Sequence, residues 1–131
     1  MSLETKHAEF ERGLDLFNRG HFFDAHEVLE DVWRPLARGR GLRRHLQGMI
    51  QLAVAFHHAS NGNLAGARSV LARATHNLHG AEGSFPELDL ERLRAGLEVW
   101  RRYLASSADE EHNKRPRRDD APPFPKIVLR R

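Results

Sequence analysis

The chain of 131 residues contains 21 lysines and arginines, 18 aspartates and glutamates, a net charge of +3 and no cysteine. This length suits one domain with a hydrophobic core, and the lack of cysteine excludes disulfide bonds, thiolate catalysis and thiolate zinc sites. Since the N-terminal segment has no apolar run and the apolar run at residues 48–56 is too short to span a bilayer, we expect a cytoplasmic protein with no signal peptide and no membrane association.

Apolar residues at helical spacing predict an all-α fold. The predicted helices span about residues 3–18, 22–35, 43–60, 67–78 and 90–104. Gly20 ends the first of them, and Pro35 ends or kinks the second, because proline disfavours helical geometry in the residue before it. Asp89 is the expected N-cap of the fifth helix. The sequence therefore predicts a compact bundle of about five helices.

Two segments of the chain repeat at an offset of 42 residues. G-H-F-F-D-A followed by V-L at residues 20–29 matches G-N-L-A-G-A followed by V-L at residues 62–71. In each copy the glycine permits a tight turn between helices, and the alanine permits close helix approach. The pattern resembles half of a tetratricopeptide unit, although only two copies are present. We therefore expect two tetratricopeptide-like hairpins rather than a long solenoid.

The second predicted helix carries ionisable groups on its apolar side. His26 falls within the stripe formed by Phe22, Ala25 and Leu29, and Glu30 lies one turn further on the same flank. A histidine and a carboxylate at i and i+4 on a core-facing helix must pair with each other or with a third group, because an unpaired buried charge is costly. The sequence predicts either a structural pair or part of a site.

The third predicted helix offers polar groups of the same kind. His57 lies within its apolar stripe, and Gln47 and Gln51 line up along one edge. Because this helix is apolar nearly all round, we expect it to be central, with neighbours on several sides. Gln51 and His57 would then face His26 and Glu30 and form a convergent polar cluster. That cluster is the candidate site.

Every member of the cluster also has a structural interpretation. The pair His26 and Glu30 can fix how the second helix sits on the third. Glu27 points away from the apolar stripe and is expected in solvent, near the positive end of the helix dipole. Trp33 is expected to anchor the core, with its indole N–H bonded to Glu30 or to a carbonyl.

The remaining polar residues of the third helix are interpreted in the same way. Gln47 and Gln51 can bridge helices through hydrogen bonds. His45 and His58 are expected to be exposed. None of these four residues requires a ligand.

Charge is segregated along the chain. Residues 1–33 hold eight acidic and three basic side chains, whereas residues 34–81 hold seven arginines and no acidic residue. The turn between the second and third helices is crowded by Arg34, Arg38, Arg40, Arg43 and Arg44. These arginines could bind phosphate, but no aromatic residues alternate with them as a nucleic-acid surface would require. We expect them to complement the acidic first third, within the monomer or across a homodimer.

The C-terminal part differs in composition from the rest. We assign residues 1–106 to one helical domain and residues 107–131 to a charged, proline-rich tail. Residues 106–125 are expected to be flexible, and residues 124–129 to form an apolar end that docks on the body or on a neighbour. On this interpretation the tail is dispensable for folding. The expected partner is a protein, including a second copy of the chain.

The cluster also fits a metal site. His26, Glu30 and His57 could hold zinc or another divalent metal with a water in the fourth position, supported by Glu27 or Gln51. The segment H-E-x-x-E is similar to the zinc-protease helix but has Glu30 where that chemistry needs a second histidine. No cofactor is otherwise implied. Two functions stay open: a binding or scaffolding module, and a small metal-dependent hydrolase.

Three segments together resemble a known family. They are F-N-R-G-H-F-F-D-A-H-E-V-L-E-D-V-W at residues 17–33, L-Q-G-M-I-Q-L-A-V-A-F-H-H at residues 46–58 and N-G-N-L-A-G-A at residues 61–67. The family is catalogued as domain of unknown function 309, and the resemblance covers about residues 10–80. It implies an all-helical single-domain protein with signature positions at His26, Glu27, Glu30, Trp33, Gln47, Gly48 and His57. It implies no reaction.

Overall fold

The computed structural model describes residues 3–38, 41–110 and 121–130. Its elements are α1 (Leu3–Asn18), α2 (Phe22–Trp33), α3 (Gly41–Ser60), α4 (Leu64–Asn77), a 3₁₀ turn (Ala81–Gly83) and α5 (Leu90–Glu110). The predicted all-α fold of five helices is confirmed. Within these ranges the one β-type contact is an isolated antiparallel bridge between Leu88 and Leu129. None of the described helices combines the length and apolar character needed to cross a lipid bilayer.

The two hairpin turns share one backbone geometry. Gly20 has φ of +85° and Gly62 has φ of +81°, in the left-handed region that favours glycine. α1 and α2 form the first helical pair, and α3 and α4 form the second. Asn63 caps α4 by accepting a hydrogen bond from the backbone N–H of Gly66 at 3.0 Å, whereas the corresponding His21 makes no side-chain cap. The likeness to tetratricopeptide hairpins stays a prediction.

α3 is the central helix, as its composition indicates. It packs against α2 on one side and α4 on the other. Its contact with α4 is close, because a Cβ at Gly48 would lie 2.8 Å from Leu78 Cγ and 3.2 Å from the carbonyl oxygen of Ala74. Only glycine permits this separation without displacement of the neighbouring helix.

Aromatic rings connect the helices in the middle of the core. Phe56 of α3 lies with its ring centroid 6.0 Å from that of Phe17, 5.8 Å from that of Phe22 and 5.3 Å from that of Trp100. Phe124 stacks on Trp100 at 5.3 Å with an interplanar angle of 5°. These edge and stacked contacts are the geometries that aromatic pairs prefer. The C-terminal segment therefore joins the same aromatic cluster as α1, α2, α3 and α5.

Residues 121–130, here called the C-terminal strap, lie along the helices. The side chain of Asn18 bonds both backbone groups of Ile127: Nδ2 donates to the carbonyl oxygen, and Oδ1 accepts from the N–H, each at 2.8 Å. Trp100 Nε1 donates to the carbonyl oxygen of Pro123 at 2.9 Å. The strap also exchanges backbone hydrogen bonds of 2.8 Å with the segment before α5, from Asp89 N–H to the Val128 carbonyl and from Arg130 N–H to the Glu87 carbonyl.

The expected flexibility of residues 106–125 is corrected at both ends. α5 continues to Glu110, and Ser107 is buried with its hydroxyl bonded to the carbonyl of Leu104 at 2.8 Å. Pro123 and Phe124 are held by Trp100. The described ends of this segment are ordered because α5 continues through residues 106–110 and Trp100 holds residues 123 and 124. Residues 111–120 lie outside the described residues, and the division into domain and tail stays a prediction.

Candidate functional site

The predicted pair on α2 forms, but at the edge of the core rather than within it. His26 Nε2 lies 3.1 Å from Glu30 Oε1, and the two side chains are 23% and 33% exposed. Glu30 Oε2 accepts a hydrogen bond from Arg34 at 3.2 Å, and Arg34 also donates to Asp31 at 3.1 Å. The carboxylate of Glu30 therefore bridges an imidazole and a guanidinium, which satisfies both of its oxygens.

Phe23 stands between the two candidate histidines. Its ring centroid lies 5.5 Å from that of His26 and 5.5 Å from that of His57. His57 is half-buried on α3, and its Nε2 lies 3.3 Å from the side-chain amide of Asn61. The two histidines thus share one neighbourhood, but each has its own polar partner and both contact Phe23.

A small pocket opens at this place, here called the α2–α3 pocket. It is lined by Phe23, His26, Val54 and His57 and has a volume of about 160 Å³. Phe23 is 52% exposed, although its three neighbours in the pocket are partly covered. Sequence reasoning placed His26 and His57 together but missed Phe23, because that residue lies outside the apolar stripe. Two adjacent phenylalanines at the start of a helix, of which only one can face the core, are the signal that could have revealed it.

Trp33 joins the end of α2 to the start of α3. Its Nε1 donates to the carbonyl oxygen of Arg43 at 3.0 Å, so the predicted bond to a carbonyl is present. The Arg43 guanidinium carbon lies 3.8 Å from the centre of the indole ring, and Arg43 Nε donates to the Leu36 carbonyl at 3.2 Å. Trp33 is only half-buried, and its contacts with Arg43 hold the end of α2 against the start of α3.

Three of the predicted cluster residues point elsewhere. Glu27 is exposed, as expected, and Gln47 is also exposed. Gln51 accepts a hydrogen bond from Asn77 Nδ2 at 2.8 Å and so bridges α3 and α4. The predicted bridging role of Gln51 is confirmed, whereas its proximity to His26 is not found. The close approach of α4 at Gly48, one turn before Gln51, places that partner within reach.

Two histidines expected at the surface are covered. His45 is 8% exposed, and its Nδ1 lies 2.6 Å from the Ser84 hydroxyl oxygen. His58 is half-buried, with Nδ1 3.3 Å from the Asn63 side-chain amide. The expectation was wrong because Ser84 comes from the loop before α5 and Asn63 from the turn after α3, and the pattern of α3 alone contains no sign of either partner.

The arginines after α2 make contacts within the monomer. Arg34 pairs with acidic residues of α2, Arg43 covers Trp33, and Arg44 donates to the carbonyl oxygen of His76 at 2.9 Å. Arg38 is exposed, and Arg40 lies outside the described residues. These bonds support the view that the arginines complement their own chain. The absence of nucleic-acid binding stays a prediction.

The acidic groups with shifted pKa values belong to surface ion pairs outside the pocket. A hydrogen bond from Arg101 lowers the pKa of Glu98 to about 2, and Arg102 adds to this effect. A hydrogen bond from Arg94 lowers the pKa of Glu82. Both carboxylates are held ionised near α5, which is the behaviour of structural pairs rather than of proton donors.

Metal binding by His26, Glu30 and His57 is the alternative that the sequence leaves open, and the arrangement of the described residues does not favour it. In the described ranges no three histidine, aspartate or glutamate side chains are grouped so that they could hold a metal ion. His26 and Glu30 supply two ligands, but His57 is turned to Asn61. A zinc site needs three or four ligands at about 2.0–2.2 Å from the ion. The hydrolase hypothesis therefore requires His57 to change its partner.

Elemental analysis tests this hypothesis directly. We expect the purified protein to contain no stoichiometric zinc or other divalent metal, because only two candidate ligands meet. We expect the metal content of His26→Ala to equal that of the unmodified chain. About one metal ion per chain, lost in His26→Ala, would instead establish the site and revive the hydrolase.

The family match covers the region that contains the pocket. Residues 10–70 match the model of a family described as Domain of unknown function (DUF309). An uncharacterised protein of Aquifex aeolicus (strain VF5) is 32% identical over 82 residues, which is 63% of this chain and 24% of that protein. The uncharacterised protein YpuF of Bacillus subtilis (strain 168) is 34% identical over 76 residues, which is 56% of this chain and 41% of that protein. The matched regions thus span less than half of either relative.

Proposed function

We propose that this chain, whose residues 10–70 match the model of the domain of unknown function 309 family, is a protein-binding module. Its α2–α3 pocket holds one apolar side chain from a basic segment of the partner. The observation that carries the proposal is the exposed ring of Phe23, held between the imidazoles of His26 and His57.

The size and lining of the pocket favour a single side chain. Sites for drug-sized ligands enclose about 300–1,000 Å³, whereas this pocket encloses about 160 Å³. The Val54 side chain and the ring of Phe23 give it apolar surface, and the two imidazoles add flat faces. An aromatic residue with one exposed face is typical of the anchors that dominate protein interfaces.

The charges around the pocket favour a basic partner. Asp24 and Glu27 are exposed on α2, and neither forms a salt bridge with any residue that the structure describes. Glu27 lies four residues after Phe23, so it stands on the same side of the helix as the ring. Lysine or arginine beside the bound apolar side chain would complete this rim and would direct the orientation of the partner.

A displayed library of random peptides tests the proposal. The peptides that the immobilised chain enriches are expected to combine lysine or arginine with a leucine, phenylalanine or tryptophan. Phe23→Ser should weaken their binding by about tenfold or more, because an anchor residue at an interface typically contributes at least that much.

The chain supplies a matched control for this change. Val99 on α5 is 52% exposed, the same fraction as Phe23, so Val99→Ser removes an equally exposed apolar side chain elsewhere. Peptides that bind Val99→Ser and the unmodified chain equally but lose Phe23→Ser support the pocket. Peptides that bind Phe23→Ser as well as the unmodified chain, or enrichment of acidic peptides, would contradict it.

A further inference from the structure

The contacts of the C-terminal strap are those of a peptide in a binding groove. We propose that the groove beneath the strap is an interaction site for the strap of a second copy of this chain, so that two copies associate through residues 121–130 when one of them has a free groove and the other a free strap. This site is separate from the α2–α3 pocket and does not depend on the function proposed for it.

The groove recognises the strap through its backbone and two side chains. Four backbone groups of Pro123, Ile127 and Val128 are bonded by Trp100, Asn18 and the N–H of Asp89. Recognition of an extended backbone by hydrogen bonds, with alternate side chains in pockets, is a common mode of peptide binding. The groove therefore binds the strap as a segment, whichever chain supplies it.

The two anchoring side chains are Phe124 and Ile127. The Phe124 ring lies 5.0 Å from Phe22, 5.8 Å from Phe56 and 5.3 Å from Trp100 by ring centroids. Ile127 is 3% exposed. Rings from α2, α3 and α5 contact Phe124, and Ile127 is buried three residues further along the strap. The groove is therefore expected to prefer an aromatic side chain followed three residues later by an aliphatic one.

The groove is shaped to accept proline between these anchors. A Cβ at Gly96 of α5 would lie 2.9 Å from Cβ of Pro125, so the absence of a side chain at position 96 admits the proline ring. Proline residues at 122, 123 and 125 restrict the unbound strap to extended conformations. The strap consequently loses little conformational entropy when it binds, and this favours its association with a groove on either chain.

The length of the chain between α5 and the strap permits the exchange. The strap runs antiparallel to α5, from Trp100 at Pro123 to Asp89 at Val128. Ten residues, 111–120, separate Glu110 from the strap, and an extended chain of this length reaches about 35 Å. Because identical contacts form within or between chains, exchange of such an element is a low-cost route to a dimer.

Attachment to the same chain suppresses the exchange in the unmodified protein. A tethered segment acts at an effective concentration of the order of millimolar, so a strap from another chain competes poorly at micromolar protein. We therefore expect the unmodified chain to be mainly monomeric at about 10–100 μM, which is roughly 10 to 100 times below the effective concentration of its own strap. Exchange becomes visible when one chain has a free groove and the other a free strap.

Two complementary variants create that situation. Phe124→Ala with Ile127→Ala removes both anchors and leaves the groove intact. Asn18→Ala removes both side-chain hydrogen bonds from the groove and leaves the strap intact. Mixed at equal concentration, on the order of 100 μM, the two chains should form a 1:1 complex in native mass spectrometry and light scattering, whereas each alone stays monomeric.

The control and a second measurement keep the test decisive. Leu129 is 67% exposed on the strap, so Leu129→Ala retains its anchored strap and should form no complex with Asn18→Ala. The synthetic peptide of residues 121–131 should bind the Phe124→Ala, Ile127→Ala chain and quench Trp100 fluorescence. Absence of the 1:1 complex would overturn the exchange, even if the free peptide binds, and failure of both would show that the strap is only an intramolecular part of the core.

Discussion

Replacement of Trp100 by alanine is expected to lower the free energy of unfolding by about 3–5 kcal/mol, as truncation of buried aromatic residues does. Trp100 is 2% exposed and contacts the rings of Phe56, Tyr103 and Phe124. Its loss removes the surface on which the strap stacks and leaves a cavity between α3 and α5. Urea denaturation monitored by helical circular dichroism measures the change.

Trp33, the second of the two tryptophans, is the matched control. It is half-buried and makes one hydrogen bond and one cation–π contact, both with Arg43. Trp33→Ala should therefore cost about 1–2 kcal/mol. A loss from Trp33→Ala equal to or greater than that from Trp100→Ala would show that the centre of the core lies at the α2–α3 connection instead.

Removal of residues 121–131 is expected to lower the free energy of unfolding by about 2–4 kcal/mol, from the apolar area of Ile127 and Phe124 returned to water less the entropy recovered by the chain. The deletion also leaves the side chain of Asn18 without its two backbone partners. This expectation departs from the sequence-based one, in which residues 107–131 could be removed without loss. Thermal and urea denaturation of the full chain and of the shortened chain measures the difference in the free energy of unfolding.

A single substitution outside the anchors tests whether the rest of the strap contributes to stability. Leu129→Ala alters a side chain that is 67% exposed and should change stability by less than about 0.5 kcal/mol, as surface substitutions do. A chain lacking residues 121–131 that melts like the unmodified protein would show that the strap contributes nothing to folding, and would restore the interpretation of a dispensable tail.

The helices could be predicted because their signals are local. α1 ends at Asn18 before the left-handed Gly20, and α5 is capped by Asp89, whose carboxylate accepts from Arg92 N–H at 3.0 Å. Each signal lies within four residues of the helix boundary that it sets, so the sequence around that boundary is enough to predict it.

The surroundings of the polar residues could not be predicted in this way. A helical pattern gives the side of α3 on which His45 or Gln51 lies, but not which later segment covers it. Ser84 reaches His45 from 39 residues away, and Asn77 reaches Gln51 from 26. The strap reaches Asn18 across 109 residues. Contacts of this separation depend on how the elements pack, which no local spacing encodes.

The α2–α3 pocket could be predicted from the sequence only in part. The spacing of His26 and Glu30 predicted their pair, since both residues belong to one helix. The proximity of His26 to His57 was inferred from two separate stripes, and the ring of Phe23 now stands between them. The patterns on two helices thus indicated that the two histidines lie near each other, but they did not identify Phe23 as the residue between them.

The side chain of Asn18 imitates a peptide group, since it donates to and accepts from a single residue as a neighbouring strand would. Spontaneous deamidation would convert it to aspartate and replace the donor NH₂ with an oxygen that faces the Ile127 carbonyl. Two acceptors would then oppose each other, and the strap would lose one bond and gain a repulsion. Deamidation at this one position would therefore weaken the hold on the strap while the hydrogen bonds within the helices stay unchanged.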